Sequence, residues 1–123
     1  MITGVVTEEL EAVVAITIRD HAGNPYPMKT VVDTGYNGFL TLPPHLVSQL
    51  QLIFAGPAKA TLGDGSEITS SLFEGVVIWQ GADRLIGVLQ TDGDPVIGMS
   101  LLRGSDLAMR VIAGGAVTIK PTA

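Results

Sequence analysis

Short apolar runs broken by dense turn residues set the rhythm of this chain. From Leu10 to Arg19, Val, Ile, Thr and Ala dominate a segment too rich in β-branched residues for a comfortable helix, so it reads as a strand. It ends in Asp20-His21-Ala22-Gly23-Asn24-Pro25, and Met28 to Val32 resumes as a second strand, which makes a hairpin with a loose loop. Ile2 to Val6 reads as a separate edge strand, and Phe39 to Leu42 as another short strand after Asp33-Thr34-Gly35. Pro44 is suited to open a helix, because its missing N–H falls in the first turn, and His45 to Leu50 then puts Leu46, Val47 and Leu50 on one face. A second hairpin is expected from Ala58 to Leu62 and Ser66 to Leu72 around Gly63-Asp64-Gly65, since Asp-Gly is a strong hairpin signal. A third pairs Gly75 to Trp79 with Arg84 to Gln90. After the break at Asp92-Gly93-Asp94-Pro95, Val96 to Gly104 reads as a short strand running into a short helix closed by Gly104. Ala108 to Ile112 and Ala116 to Lys120 are the last expected strands, split by Gly114-Gly115. The pattern is that of a small, mostly antiparallel β protein with one or two helical turns.

Composition narrows the chemistry. With 123 residues and 46% apolar content, a single domain over residues 1–123 can bury a core without a staple. The absence of cysteine removes thiolate metal sites, cysteine nucleophiles and disulfides together. His21 and His45 are far apart and have no carboxylate at ligand spacing, so no metal and no cofactor is expected. The net charge of −5 and seven scattered basic residues argue against a nucleic-acid partner. The N-terminus has neither a basic region nor a continuous apolar stretch, and no apolar run approaches the roughly 20 residues of a membrane helix. The expectation is a cytoplasmic protein with no membrane partner.

Val31-Val32-Asp33-Thr34-Gly35 is the informative segment. A carboxylate between an apolar strand and a glycine sits where a buried element must turn. Partial desolvation there raises a carboxyl pKa and makes it a candidate acid or base. Asp and Gly are also among the commonest turn residues, so an ordinary turn accounts for the same three positions.

The chain as a whole resembles the retroviral-type (retropepsin-like) aspartic proteases. Asp33-Thr34-Gly35 matches the Asp-Thr-Gly signature, preceded by two apolar residues; Val96-Ile97-Gly98 matches the apolar-apolar-Gly signature, with Leu101 and Leu102 in the turn after it. Leu62-Gly63-Asp64-Gly65-Ser66 falls where that family has its flap hairpin. The resemblance implies an all-β fold, a small closed antiparallel β-barrel with one or two short helices. It implies an aspartic endopeptidase acting on a peptide or protein substrate. Metal-free peptide hydrolysis of this type needs a water between two carboxylates, one ionised and one protonated. Two carboxylates about 3 Å apart share one proton. One chain carries one Asp-Thr-Gly, and Asp92 and Asp94 lack that context and read as a polar loop. A catalytic molecule is then a twofold homodimer with Asp33 at the axis.

By similarity, Thr34 bonds across that axis, Gly35 admits the backbone close to the carboxylates, and Gly98 packs behind Asp33 in the strand-to-helix crossing. Leu62, Gly63, Asp64, Gly65 and Ser66 form a lid over substrate, or else an ordinary hairpin turn. Tyr36, Phe39 and Leu62 are expected to line the cleft. Met1 to Val5 and Val117 to Lys120 are apolar enough to pair at the dimer interface, or to be edge strands of a monomer. Two departures stand out: Tyr36 where the family has a small residue, and an acid, Asp64, at the flap tip, which would disfavour acidic peptides. His45 reads as a solvent-facing or helix-capping side chain, Trp79 as core or interface, and Arg84, Arg103 and Arg110 as partners of surface carboxylates, each pair worth little. Two other classes remain open: a catalytically silent module of this fold that binds peptides or partner proteins, and a structural module whose Asp-Thr-Gly is a chance turn.

Overall fold

The computed structural model of the chain describes residues 1–61 and 64–123. Period-two alternation drives the assembly. Along β2 (Ala12–Arg19), Ala12, Val14, Ile16 and Ile18 are buried, while the positions between them are not. The same alternation buries Val117 and Ile119 in β10 (Ala116–Pro121) and Val77 and Trp79 at the end of β6 (Glu67–Trp79). β1 (Ile2–Val6), β3 (Pro25–Val32), β4 (Leu40–Leu42), β5 (Ile53–Thr61), β7 (Ala82–Gln90), β8 (Val96–Ile97) and β9 (Ser105–Met109) complete the strands. The helices are α1 (Pro44–Leu50) and α2 (Met99–Leu102). Pro44 does open α1, with Val47 and Leu50 buried beneath it and His45 exposed. Among the described residues no helix is long and apolar enough to cross a membrane.

Turn chemistry decides where the strands begin. The segment from Thr7 to Leu10 turns back on itself, the Leu10 N–H donating to Thr7 O with Leu10 at φ 61°, so β2 starts at Ala12 rather than at Leu10. Gln80 and Gly81 both have positive φ (51° and 83°), the pair of values a two-residue hairpin turn requires. Two residues suffice there, so β7 begins at Ala82, before the expected Arg84. Val111 and Ile112 are exposed in the loop between the last two strands, and β9 instead starts at Ser105, where Leu107 can sit opposite Ile119. The expected strand from Ala108 to Ile112 is thus displaced upstream.

The ten strands among the described residues join one sheet in the order β5-β6-β7-β4-β8-β3-β2-β1-β10-β9. β6 is long enough to pair with β5 and β7 and then with β2 at residues 76–78, and this last pairing closes a ring of β6, β7, β4, β8, β3 and β2. The ring is not wholly antiparallel as expected: β3–β8 and β4–β7 are parallel. The cause of the first is that β8 is inserted between β3 and β4, so it runs with one and against the other. β1 is not an edge strand either. It lies between β2 and β10, with Ile2 opposite Ile119, so both of its edges are used within the chain. β10 is likewise held between β1 and β9, which leaves neither terminal strand free to pair with another subunit.

Candidate active site

β3 ends at Val32, and the chain then makes a loop over residues 33–39 before β4. β8 passes through the fork between the two strands. The Asp33 N–H continues the β3–β8 ladder by donating to Ile97 O at 3.0 Å. Behind the loop, residues 98–100 bind its carbonyls one after another. Gly98 N–H donates to Phe39 O (3.1 Å), Met99 N–H to Tyr36 O (2.8 Å), Ser100 N–H to Gly38 O (3.1 Å) and the Ser100 hydroxyl to Asn37 O. The backbone bearing Asp33 is therefore clamped from the rear.

Gly98 is obligatory in this clamp. A Cβ there would lie 2.5 Å from both Gly38 O and the Tyr36 ring, inside any tolerable contact. The Tyr36 side chain folds back over Gly38 and Gly98, half-buried, and burial pushes its phenol pKa up from 10.0. This packing explains how a bulky residue is accommodated next to the carboxylate loop. Arg84 secures the next turn: its guanidinium donates to Leu101 O (3.1 Å) and Ser100 O (3.2 Å) and lies 5.4 Å from the centre of the Phe39 ring. It pairs with carbonyls and a ring, not with the surface carboxylate expected for it.

Asp33 Oδ1 accepts the Gly35 N–H at 2.8 Å, which fixes the carboxylate's orientation. Gly35 matters here as well, since a Cβ would lie 3.2 Å from that same oxygen. Asp33, Thr34 and Gly35 are all exposed. The desolvation expected at the end of a buried strand is not supplied by this chain.

The loop opens onto a cleft of about 1380 Å³. Asp33, Thr34, Gly35 and Tyr36 line it, together with Val31, Val32, Leu89 and Val96 from the ring and Asp94 from the loop before β8. The β5–β6 hairpin contributes Ala58, Lys59, Thr61, Ile68 and Leu72; Leu10, from the turn between β1 and β2, and Met109, from β9, also reach it. Phe39 and Gly98 do not line it: Phe39 packs against the core beneath Arg84, and Gly98 is buried behind the loop. Leu62 and Gly63 lie outside the described residues. At the hairpin tip Asp64, Gly65 and Ser66 are exposed and outside the cleft wall. Asp64 Oδ1 accepts the Ser66 N–H (2.9 Å) and hydroxyl (2.5 Å), and these bonds hold its carboxyl below the usual range. The contribution of Lys59, Ile68 and Leu72 carries no motif in the sequence. Its one signal is that Ile68 and Leu72, four residues apart, fall on the same face of β6. Among the described residues no three His, Asp or Glu side chains gather into a metal-binding group.

The whole architecture has a solved counterpart. The crystal structure of a retropepsin-like aspartic protease from Rickettsia conorii superposes with a TM-score of 0.59 over 98% of this chain and 90% of that one, at 14% sequence identity. At that identity the likeness is one of fold, and it supports an all-β protease-like scaffold. No protein-family profile matches the sequence, and no curated protein does.

Proposed function

We propose that the chain is an aspartic endopeptidase built on a retropepsin-type barrel and active as a homodimer. The observation that carries this reading is the placement of Asp33: a single oriented carboxylate, on a loop clamped by the β8–α2 crossing, at the wall of a cleft large enough for an extended peptide. The fold likeness to a retropepsin-like protease adds independent support.

In the proposed reaction, Asp33 from each subunit holds one water. The ionised carboxylate takes a proton from that water as its oxygen attacks the scissile carbonyl carbon. The protonated carboxyl gives its proton to the carbonyl oxygen, and a tetrahedral diol forms. Its collapse returns a proton to the amide nitrogen and breaks the C–N bond. Thr34 and Gly35 hold the loops, while the β5–β6 hairpin closes over the substrate and excludes water. Exposure of Asp33 in one chain fits this scheme, since the partner's carboxylate and the bound peptide would cover it. Apolar side chains such as Val32, Ile68 and Leu72 favour peptides with apolar residues in the cleft.

The test is cleavage of a mixed peptide library, read by mass spectrometry over roughly pH 3 to 8 because carboxylate pairs titrate there. Wild type and Asp33→Asn run side by side at concentrations that hold a dimer. Cuts made by wild type and lost in the variant are the expected result. Identical patterns from two folded, dimeric proteins would discard the peptidase and leave a peptide-binding module of the same fold.

A further inference from the structure

The polar loop between β7 and β8 carries two aspartates, and the fold treats them differently. Asp92 and Asp94 are both exposed, but only Asp94 lines the Asp33 cleft. The loop is pinned at both ends: the Thr91 N–H donates to Leu42 O at 3.0 Å, and Pro95 O accepts the Val31 N–H at 2.9 Å. Pro95 further biases Asp94 to extended backbone, because its ring clashes with a helical residue before it. The Asp94 carboxylate is thus a charge held at the cleft wall, and it makes no ion pair among the described residues. The ladder bounds its distance from the reacting group. The Asp33 N–H bonds to Ile97 O, and Asp94 is three residues before Ile97. Three residues span at most about 11 Å, so Asp94 stands within about three residues of the scissile bond of an extended peptide. Other charges on the wall do not cancel it. Glu11 and Asp33 have the same sign. Lys59, the one cation lining the cleft among the described residues, is opposite Thr69 in the β5–β6 hairpin and so stands on the face away from Ile68 and Leu72.

We propose that Asp94 is a specificity-determining residue that selects peptides with a lysine or arginine within three positions of the scissile bond. The inference rests on the peptidase reading and sharpens its substrate class: apolar residues against Val32, Ile68 and Leu72, with a basic one beside them. A carboxylate in a cleft that closes over its ligand attracts a cation more strongly than one in open water, since the local dielectric falls and screening ions are excluded. The same carboxylate repels acidic side chains, so it discriminates by exclusion as well as by attraction. In a homodimer the second subunit presents its own copy, and the preference extends to both sides of the scissile bond. Asp92, two residues away and outside the wall, has no part in it.

Matched synthetic peptides test the selection: a common apolar core with Lys, Gln or Glu placed in turn at each of the three positions on either side of the scissile bond. Wild type should cleave the best Lys peptide with a kcat/KM about tenfold above that of its Glu counterpart. Asp94→Asn should bring the two within about threefold, and Asp94→Lys should reverse their order. Turnover of the Gln peptide should not change in Asp94→Asn, which separates a lost charge preference from a damaged fold. Asp92→Asn should rank the peptides as wild type does. A ranking that survives Asp94→Asn, or that Asp92→Asn abolishes equally, would overturn the proposal. Binding of the same peptides to Asp33→Asn, followed by fluorescence anisotropy, keeps the two readings apart. Tighter binding of Lys than of Glu peptides, with no cleavage by wild type, keeps Asp94 as the selector and removes the peptidase. Cleavage without any charge order keeps the peptidase and removes the selector. Peptides neither cut nor bound overturn both.

Discussion

Two loops of this chain carry the same local device. At Asp33-Thr34-Gly35 the aspartate accepts the N–H two residues on at 2.8 Å; at Asp64-Gly65-Ser66 it does the same at 2.9 Å. Both aspartates are exposed. The difference lies behind them. The first loop has its carbonyls from Tyr36 to Phe39 taken by residues 98–100, while Asp64 and Ser66 bond to each other at the far end of a hairpin. A turn is a local event, but a site needs a second segment to hold the turn in place. One arrangement suits a reacting group and the other a lid.

The sharpest break in this comparison is chemical. Asp33→Asn should lower peptide cleavage by about a thousandfold or more, whereas Asp64→Asn, with the same change of charge, should leave turnover within a few-fold. Equal losses would mean that both loops act on the substrate in the same way. The library assay with both variants measures this directly.

The next contrast is mechanical. Gly98→Ala drives a Cβ into Gly38 O and the Tyr36 ring, and overpacking of this kind costs about 1–3 kcal/mol. Gly65→Ala meets no atom, but its φ of +85° adds local strain of about 1 kcal/mol. Urea unfolding should rank them in that order. Only Gly98→Ala should also reduce activity, because the strained segment carries the loop of Asp33.

Much of this was legible in the residues, and the failures have physical causes. Hairpins showed because Asp, Gly and Asn mark turns by local chemistry, as at Asp20 to Asn24, where Asp20 Oδ1 accepts the Asn24 N–H at 2.8 Å. β8 is two residues long, and no periodicity exists in two residues, so its insertion between β3 and β4 had no local pattern to announce it. Phe39 lies in the loop before β4 and packs against the core beneath Arg84 instead of lining the cleft, because a loop position has no strand alternation to say which way its side chain faces. Val111 and Ile112 look like strand and are exposed loop, because strand propensity yields to the register in which Leu107 faces Ile119. The Asp33 loop itself was visible, but its clamp, four carbonyls taken by residues distant in the chain, was not.

The smallest effects lie at the extremes of pH and separate the two loops once more. The Asp64 carboxyl is lowered by its bonds from Ser66, so the stability it lends the turn is present above the unfolded value of 3.8 and fades as pH falls through the folded value. It is fully exposed, and the effect is slight. Tyr36 is shifted the other way. Burial favours its neutral phenol, so its contribution is intact below pH 10.0 and is lost as pH rises through the raised folded value. Tyr36→Phe keeps the ring over Gly38 and Gly98 but removes the ionising group, and should flatten the fall in stability above pH 10.0. Asp64→Asn should flatten only the acid side. Unfolding free energies measured against pH for the two variants and wild type decide the assignment: an alkaline slope unchanged in Tyr36→Phe would mean that the ring is not buried against the loop.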